Sequence, residues 1–414
     1  MLQARVWVRR LLGVERAVVE GIELDEEGAL VVQVRPNWRE RRRCGVCRRR
    51  CPGYDEGEGR RRWRALDLGT TRCYLEAEAP RVRCGRHGVV VAAVPWARHD
   101  SRFTRSFEEQ VAWLACQCSK RAVCELMRIA WLSVGRIITR VAAEARQRHD
   151  PLEHLVRIGI DEISHRKGQR YLTVVVDHDS GLLVWAAPGR DRTTLRRFFE
   201  LLGKERCARI ELVSADGADW IEQVVRERCP NAALCLDPFH VVKWATDALD
   251  EVRREVWNAA RRAGQTAEAK ALKGARFALW KNPEHLTARQ QATLAEIAQT
   301  NEPLYRAYLL KEQLRQALKL PAPEALALLE RWLAWARRSR LQAFVKLAQQ
   351  VAAHLSGIAA ALSFGLSNAR TEAVNTRIRL IARRAFGFHS PEALIALALL
   401  SLGGLCPPLP GRSR

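Results

Sequence analysis

The stretch that most constrains the fold is residues 155–237, where three strand-like segments precede alternating helices and strands. "VRIGIDEI", "RYLTVVVDHD" and "LLVWAAPG" are rich in Val, Ile, Leu and aromatic residues and are separated by turn residues. The helix "TTLRRFFELLG", the strand "RIELVSAD", the helix "GADWIEQVVRERC" and the strand "AALCLD" follow. This βββαβαβ order predicts a mixed sheet that begins antiparallel and continues parallel.

Two adjacent carboxylates, Asp161 and Glu162, end the first of these strands. Asp161 shares its strand face with Gly159, whereas Glu162 shares the other face with Ile160, so Asp161 lies on the roomier side. Asp216 ends the fourth strand, and strand ends of this kind converge at one edge of a sheet. Asp161 and Asp216 are therefore predicted to hold a hard divalent cation, and Glu162 is interpreted as a structural or supporting acid.

Other acids nearby compete for the same roles. Asp237 also ends a strand and is the main alternative to Asp216. Glu162, Asp177 and Asp179 could be metal ligands, turn residues or partners of arginine side chains.

The best candidate for a third acid is Glu372. On the predicted helix it shares a polar face with Asn375, Thr376, Arg379 and Arg383. The opposite face is apolar and consists of Val374, Ile378, Ile381 and Ala385. One carboxylate among cations suits a metal beside a phosphate, although a solvated face with Glu372 paired to arginines is the alternative. Two metals about 3.5–4 Å apart, held by such acids, catalyse phosphodiester displacement.

From about 238 to 365 nearly every segment has helical periodicity, with breaks at Asn282-Pro283, Asn301-Glu302-Pro303 and Pro321–Pro323. A further helix is predicted over "SNARTEAVNTRIRLIARRAFGFHS", with Ser367 or Asn368 as its N-cap. Trp332 and Trp335 could stack on a distorted base, but packing in a helical core is the more ordinary role of such side chains.

The charge distribution indicates a polyanionic partner. The chain carries 69 Lys plus Arg against 46 Asp plus Glu, a net charge of +23, and residues 35–105 hold 19 Arg and 8 acids. Solubility or a coding bias toward arginine is the alternative, but neither requires clustering. An Arg-dense segment fits a phosphate backbone, and double-stranded DNA is the predicted partner.

Four residues in the Arg-rich segment have the spacing of a zinc site. Cys44 and Cys47 form a CxxC pair, and Cys84 and His87 form a CxxH pair after 36 intervening residues. Two such pairs can close a tetrahedral Zn²⁺ site and stabilise a segment too small for its own core. Cys51 and Cys73 are the alternative ligands.

Residues 104–147 are predicted to be helical and to contain a helix-turn-helix. A helix at about 119–129 is followed by a turn near 130–133 and a second helix from Val134, with Ser133 as N-cap. Arg136 and Arg140 then lie together on the outer face, where a recognition helix would contact the major groove. A plain two-helix packing unit with solvated arginines is the alternative.

Membrane insertion and export are not expected. The sequence has no run of eighteen apolar residues, and its N-terminus lacks the long apolar stretch and cleavage site of a signal peptide. The twelve cysteines are accordingly expected to be reduced thiols or metal ligands. We expect a cytoplasmic, nucleoid-associated protein.

Along nearly its whole length the chain resembles the DDE transposases of the ISL-three family of bacterial insertion sequences. The stretches that carry the resemblance are "CGVC…RCGRHG", "VPWARHDSRFTRSFEEQVAWLA", "IGIDEISHRKGQRYLTVVVDHDSGLLVWAAPGR", "DPFHVVKWATDALDEVRRE" and "LSNARTEAVNTRIRLIARRAFGFHSPEALIALALL". The resemblance implies an N-terminal zinc module, a helix-turn-helix and a ribonuclease-H-like catalytic domain interrupted by a helical insertion. It also implies an Asp-Asp-Glu triad that binds Mg²⁺ or Mn²⁺.

Carried over to this sequence, the triad falls on Asp161, Asp216 and Glu372. "DPFH" resembles an element that follows the second Asp in related Mutator-like transposases, which gives His240 and Asp237 an auxiliary role, as for Asn375. Arg379 and Arg383 join Arg136 and Arg140 as expected DNA contacts. One departure is Ala373, where relatives often have Gly.

These expectations combine into a multidomain α/β plus α protein. The predicted division is a zinc-ribbon-like module (1–100), a helix-turn-helix region (101–152), the first part of a mixed-sheet catalytic core (153–240), an all-helical insertion (241–362), and the final core helix with a C-terminal tail (363–414). Such an enzyme would bind the terminal repeats of its element, cleave and join strands, and act as a homodimer or higher oligomer on DNA.

Two other functions compete with this prediction. A DNA-binding regulator, descended from a transposase but inactive, would share the zinc and helix-turn-helix modules but has no need of three converging acids. A structure-selective nuclease would share the metal chemistry but would not need two N-terminal DNA-binding modules.

Overall fold

The computed structural model describes residues 2–166, 168–388 and 390–412, with residues 2–5 described by their backbone alone. The chain divides into two compact units. One contains residues 1–151 together with 378–414, and the other contains residues 152–377. Within the described residues, no helix is both long and apolar enough to cross a membrane.

A five-stranded sheet with the order β10-β9-β8-β11-β12 forms the centre of the second unit. Its strands are β8 Arg157–Arg166, β9 Arg170–Asp177, β10 Leu183–Pro188, β11 Leu212–Ala215 and β12 Ala233–Leu236. β8, β9 and β10 pair antiparallel, whereas β11 pairs parallel with both β8 and β12. The predicted mixed sheet is confirmed.

One face of this sheet is covered by short helices that follow β10 and β11. They are α5 Arg192–Leu202, α6 Lys204–Cys207 and α7 Asp219–Arg228. Ile158, Ile160 and Val213 pack on this face in one core with Phe198 of α5 and Ile221 of α7, and all five side chains are fully buried. The alternation of the strands therefore sends Gly159, Asp161 and Ser214 to the opposite face.

The segment after β12 is helical, as predicted. Its helices are α8 Pro238–Arg262, α9 Thr266–Gly274, α10 Arg276–Trp280, α11 Ala288–Thr300, α12 Glu302–Ala317, α13 Ala322–Arg338, α14 Gln342–Ala353 and α15 Leu355–Phe364, with a 3₁₀ turn at Pro283–His285. The indole N–H of Trp332 donates to the carbonyl of Leu310 at 2.8 Å, and the side chain is fully buried. Core packing is thus the role of Trp332, and Trp335 packs at the edge of the same core.

Two small sheets and a short helix make up the first part of the other unit. The helix is α1 Leu2–Leu11, the strands are β1 Ala17–Leu24, β2 Leu30–Pro36, β3 Gly53–Asp55, β4 Arg60–Arg64, β5 Cys73–Glu78, β6 Arg81–Cys84 and β7 Gly88–Val91. One sheet has the order β1-β2-β5-β4 and the other β3-β6-β7. Because β4 and β5 of the larger sheet lie between β3 and β6 in the sequence, the chain leaves the small sheet after β3 and returns to it at β6.

The helices of this unit are α2 Arg105–Gln117, α3 Lys120–Met127, α4 Trp131–Arg148 and α17 Pro391–Leu402. The sequence had suggested Ser133 as the N-cap of the second helix of the helix-turn-helix, and this prediction is wrong. α4 begins at Trp131, one turn earlier, and its N-cap Ala130 makes no side-chain bond. The serine that caps is Ser119, whose hydroxyl accepts from the N–H of Ala122 at the start of α3.

A buried arginine joins the segment before α2 to α2 and α4. Arg98 is only 8% exposed, and its guanidinium contacts the carboxylates of Glu108, Glu109 and Glu144. Burial alone would raise the pKa of Glu144, but the hydrogen bond from Arg105 and the charge of Arg98 outweigh it and lower the pKa to about 2.

The capping difference gives a paired stability test. Ser119→Ala removes an N-cap bond and is expected to lower the free energy of unfolding of this unit by about 1 kcal/mol. Ser133→Ala changes the third residue of α4, whose side chain does not cap the helix, and is expected to stay within about 0.5 kcal/mol of the wild type. Differential scanning calorimetry of the full chain measures both, and a larger loss for Ser133→Ala would contradict the observed start of α4.

The ion pairs of Glu144 predict a pH dependence. Because its pKa is lower in the folded than in the unfolded chain, its stabilising effect is present above the unfolded value and is lost as the pH falls toward 2. Glu144→Gln is therefore expected to destabilise this unit at pH 7 by on the order of 2 kcal/mol. The difference from wild type should shrink between pH 5 and pH 3 in calorimetry; a pH-independent difference would contradict the assignment.

Candidate active site and metal-binding residues

The register of the parallel strands brings two of the predicted acids level with each other. Ser214 of β11 pairs with Gly159 of β8, so Asp216 and Asp161, each two residues further on, are next to each other. Ala215 pairs with Leu236 of β12, which brings Asp237 level with Asp216 in the same way. Asp216 and Asp237 therefore directly follow the ends of β11 and β12. Asp161 instead lies in the middle of β8, which continues to Arg166, so the prediction that Asp161 ends its strand is wrong; Asp161 is level with the point where β11 ends.

A helix from the end of the chain lies against the face that carries Asp161. This is α16, Ala369–Arg384. Asn375 of α16 donates from its side-chain amide to Oδ2 of Asp161 at 2.8 Å, while Oδ1 of Asp161 accepts from the N–H of Glu162 at 2.7 Å. Asn375 is only 2% exposed, so it belongs to the buried face of α16, and the alternative of a fully solvated polar face does not hold for this residue.

Glu372 lies one helical turn before Asn375 on α16 and is exposed. The predicted apolar face is confirmed, since Val374, Ile378 and Ile381 are all buried. Burial raises the pKa of Asp161, and the charges of Asp216 and Glu372 raise it further. Asp161 is therefore close enough to Asp216 and to Glu372 for the charge of each to disfavour its ionised form, which is the electrostatic situation that a divalent cation relieves.

The turn after Asp216 depends on a glycine. Oδ1 of Asp216 accepts from the N–H of Ala218 at 3.2 Å, and Gly217 has a φ of +83°. A Cβ at Gly217 would lie 2.6 Å from Cδ1 of Leu236. The "ADG" sequence therefore forms the tight strand-to-helix turn that was predicted, and it leaves Oδ2 of Asp216 without a hydrogen bond among the described residues.

Asp237, the alternative to Asp216, is already engaged by the backbone. It is the N-cap of α8, with Oδ1 accepting from the N–H of Phe239 at 3.0 Å and Oδ2 from the N–H of Asn368 at 3.3 Å. Burial alone would raise the pKa of Asp237, but its contact with His240 and these two N–H groups lower it. Nδ1 of His240 is 3.7 Å from Oδ2, an ion-pair distance rather than a hydrogen bond.

Glu162 points to the other face of β8 from Asp161, as its neighbours in sequence predicted. Its side chain is 6% exposed and pairs with Nε of Arg190 at 2.5 Å. Burial raises the pKa of Glu162 to about 7, despite the opposing charge of Arg190. The geometry thus gives Glu162 a partner on its own face of the sheet, away from Asn375.

The four residues with zinc-ligand spacing come together in the smaller sheet. One ligand atom each from Cys44, Cys47, Cys84 and His87 lies within 4.8 Å of all the others. Nδ1 of His87 is 3.6 Å from the sulfurs of both Cys44 and Cys84. Among the described residues, no second group of three or more His, Cys, Asp or Glu side chains is gathered as closely. The donor set suits Zn²⁺.

The two alternative cysteine ligands make other contacts. The thiol of Cys51 donates to the carbonyl of Arg49 at 3.3 Å, and the thiol of Cys73 to that of Thr71 at 3.7 Å. Both cysteines are buried, and neither belongs to the four-residue set.

The arginines predicted to contact DNA differ in their surroundings. Arg136 of α4 and Arg379 and Arg383 of α16 are exposed. Arg140 is instead held within its own unit, because its guanidinium donates to Oε1 of the fully buried Glu108 at 2.5 and 2.8 Å. The prediction of a free Arg136–Arg140 pair is therefore wrong for Arg140.

Several buried polar residues on the face of the sheet that carries Asp161 were not among the predicted site residues, although Asn368 was one of the two N-cap candidates. They are His178, Ser214, Asn368 and Thr371, each 4% exposed or less. One sequence feature that could have indicated this polar cluster is the serine in the otherwise apolar strand "LVSAD". The structure aligns this serine, Ser214, with Gly159 of "RIGID" on the neighbouring parallel strand.

A family model of known proteins matches the part of the chain that contains the candidate acids and α16. Residues 158–398, more than half of the chain, match the family model of the ISL3 transposases, described simply as "Transposase". The chain belongs to the ISL3 transposase family. Residues 92–142 of this ISL3-family chain match the helix-turn-helix domain of that family, and residues 40–87 match the zinc finger of the transposases of IS204, IS1001, IS1096 and IS1165.

Similar proteins extend over nearly the whole chain. The transposase for insertion sequence element IS1557 from Mycobacterium tuberculosis is 55% identical over 98% of this chain and 97% of its own length. The transposase for IS1001 from Bordetella parapertussis is 29% identical over 84% of this chain and 86% of its own length. The family resemblance noted from the sequence is confirmed.

The cysteine geometry predicts which thiols retain zinc. Cys84→Ser is expected to remove bound zinc and to unfold the β3-β6-β7 sheet, because a segment of this size depends on its metal. Cys73→Ser changes an equally buried thiol outside the set and should keep one zinc ion per chain. Metal analysis of the purified proteins checks both, and one zinc ion per chain in Cys84→Ser would contradict the ligand set.

Proposed function

We propose that this chain is a DDE transposase that binds the terminal repeats of its own insertion sequence and catalyses metal-dependent strand cleavage and strand transfer. The observation that carries the proposal is the strand register. It brings Asp161 in the middle of β8 level with Asp216 at the end of β11, on the face where α16 supplies Asn375 and Glu372. The family and the named relatives support the same reaction on DNA.

In this proposal Asp161, Asp216 and Glu372 hold Mg²⁺ or Mn²⁺. The fit is chemical, since all three offer carboxylate oxygens, the donors that these hard cations prefer. A second observation supports it: Oδ1 of Asn375 is buried without a hydrogen-bond partner among the described residues, beside the carboxylate that its amide contacts. When bound, the cations activate water or a 3′-hydroxyl and stabilise the leaving oxygen.

The protein side chains have the remaining tasks. Asn375 would orient Asp161 through its 2.8 Å hydrogen bond, because fixing one oxygen of a carboxylate leaves the other lone pairs directed at the site. Asp237 would shape the turn into α8 instead of binding metal. His240 would balance the negative charge nearby, since its contact with Asp237, together with the charges of Asp216 and Asp161, raises the pKa of His240.

Double-stranded DNA would be bound by other parts of the chain. Arg136 on α4 is exposed where a recognition helix needs a cation, and Arg379 and Arg383 could contact phosphates beside α16. The zinc module adds the Arg-rich segment that gives much of the positive charge. A homodimer or higher oligomer on DNA belongs to the same proposal, as does Zn²⁺ bound by Cys44, Cys47, Cys84 and His87.

The finer fold assignment is also proposed. A sheet with three antiparallel strands followed by two parallel ones, with a late helix on its acid-bearing face, is compatible with a ribonuclease-H-like core. The helices from α8 to α15 would then be the insertion, and the predicted domain boundaries at 100, 152, 240 and 362 remain predictions.

Cleavage of labelled element-end DNA in Mg²⁺ tests the function. Asp161→Asn, Asp216→Asn and Glu372→Gln should each lower the cleavage rate by at least about 1,000-fold, a loss of roughly 4 kcal/mol of transition-state stabilisation, while end binding persists. Asp237→Asn should retain more activity than Asp216→Asn. Exposed Glu211, at the other end of β11, provides the control substitution Glu211→Gln.

The outcomes separate the proposed enzyme from a DNA-binding regulator. Specific binding of element ends by the wild type without cleavage in Mg²⁺ or Mn²⁺ would favour the regulator. Equal cleavage by wild type and Glu372→Gln would remove Glu372 from the triad, and a greater loss in Asp237→Asn than in Asp216→Asn would reverse the choice between these aspartates.

A further inference from the structure

A chain of buried hydrogen bonds crosses the sheet beneath the start of α16. Nε2 of His178, just after β9, is 2.7 Å from Oγ of Ser214 on β11, and that hydroxyl donates to Oδ1 of Asn368 at 2.5 Å. The backbone N–H of Asn368 then donates to Asp237 at 3.3 Å. His178 is 4% exposed, and Ser214 and Asn368 are fully buried.

The direction of these hydrogen bonds follows from the orientation of the Asn368 side chain, whose Oδ1 faces Ser214 and whose Nδ2 is buried without a hydrogen-bond partner among the described residues. The amide oxygen of Asn368 can only accept, so the single hydroxyl proton of Ser214 is directed at it. Oγ of Ser214 can then only accept from His178, which must carry a proton on Nε2. Every member of the chain has one defined role, and the removal of any member leaves a buried polar group unpaired.

Asn368 uses its side chain unusually for the residue before a helix. Its carbonyl accepts from the N–H of Glu372 at 2.8 Å, which makes it the N-cap of α16 by position. An asparagine at this place normally caps its own helix with the side-chain oxygen. Here that oxygen is bonded to Ser214 instead, so the side chain holds the helix to the sheet and not to itself.

The sheet is shaped to let this contact form. A Cβ at Gly159 would lie 2.2 Å from Oγ1 of Thr371, 2.8 Å from Nε2 of His178 and 3.2 Å from Oγ of Ser214. Any side chain at Gly159 would therefore displace the first turn of α16. A second bond acts at the same turn, because the guanidinium of Arg370 donates to the carbonyl of His178.

We propose that His178, Ser214 and Asn368 are positioning residues for the metal-binding acids, because their hydrogen-bond chain fixes the first turn of α16 on the sheet. Glu372 lies one helical turn after Asn368, and Asn375 lies two turns after it. The position of this first turn on the sheet therefore sets the positions of Glu372 and Asn375 relative to Asp161. The inference rests on the function proposed above. It adds a set of residues that touch neither DNA nor metal but decide whether the third carboxylate reaches the site.

Iron-directed cleavage of the protein backbone measures this positioning without relying on DNA cleavage. Fe²⁺ replaces Mg²⁺ in the wild-type chain, and ascorbate with hydrogen peroxide then cuts the backbone next to the bound ion. Cuts near residues 161 and 372 give N-terminal fragments of clearly different size. Ser214→Ala should retain the cut near Asp161 and lose the one near Glu372 several-fold relative to it.

Two further measurements accompany the mapping. The Mg²⁺ concentration for half-maximal end cleavage should rise about 10-fold in Ser214→Ala, because losing a residue that orients metal ligands without binding the metal typically weakens metal affinity by at least that factor. Binding of end DNA without metal should change less than two-fold. His178→Gln keeps an N–H donor. It should therefore retain more of the cut near Glu372, and a Mg²⁺ dependence closer to that of the wild type, than His178→Leu does.

Val213→Ala is the matched control for simple destabilisation. Val213 is fully buried next to Ser214 on the same strand but belongs to the core on the other face. It should lower the melting temperature without changing the ratio of the two cuts or the Mg²⁺ dependence. The inference is overturned if Ser214→Ala behaves like Val213→Ala, or if His178→Leu equals His178→Gln.

A failure of the proposed function looks different. If the wild type itself shows no iron-directed cut near Asp161, the acids do not hold a metal, and both proposals fall together. If the wild type is cut near both acids and Ser214→Ala gives the same ratio, only the positioning role is lost.

Discussion

The parallel pairing of β8 with β11 is the interaction on which the candidate site depends. Ser214 aligns with Gly159, and this register puts Asp216 beside Asp161. Because strand side chains alternate, a slip of one residue would turn Asp161 into the Phe198 core and leave Glu162 facing α16. The apolar residues of the other face, which form the packed core with α5 and α7, therefore select which of two adjacent acids can act.

The face opposite that core is held together by polar contacts. Gly159 leaves room for α16, and Thr371, Ser214 and His178 fill the space that a larger side chain would occupy. Apolar packing would bury the helix equally well but would tolerate sliding, whereas a hydrogen bond is lost within a fraction of an ångström. If α16 carries a metal ligand, as proposed for Glu372, such defined placement serves it, since ligand geometry must be held closely.

The amino-acid sequence predicted what depends on local pattern, and it was wrong where a distant side chain decides. Strand order, the helical segment and the zinc spacing follow from periodicity and short motifs. Arg140 was expected on a free surface, but Glu108, 32 residues earlier, holds it. Asn375 was assigned to a polar face, but the sequence did not indicate that it is buried or that its amide bonds to Asp161, 214 residues earlier. Helical periodicity assigns a face to a residue but does not say what covers that face.

Asp216 and Asp237 show what the tertiary contacts add. Both end parallel strands, and sequence alone ranks them only by motif. In the structure, the carboxylate of Asp237 caps α8 and also accepts from Asn368, which lies 131 residues away. The side chain of Asp237 thus joins the start of α8 to the residue that precedes α16. Closing so large a loop at the sheet edge returns the chain to β11 and β12, which is the condition for Glu372 to lie beside Asp161 at all.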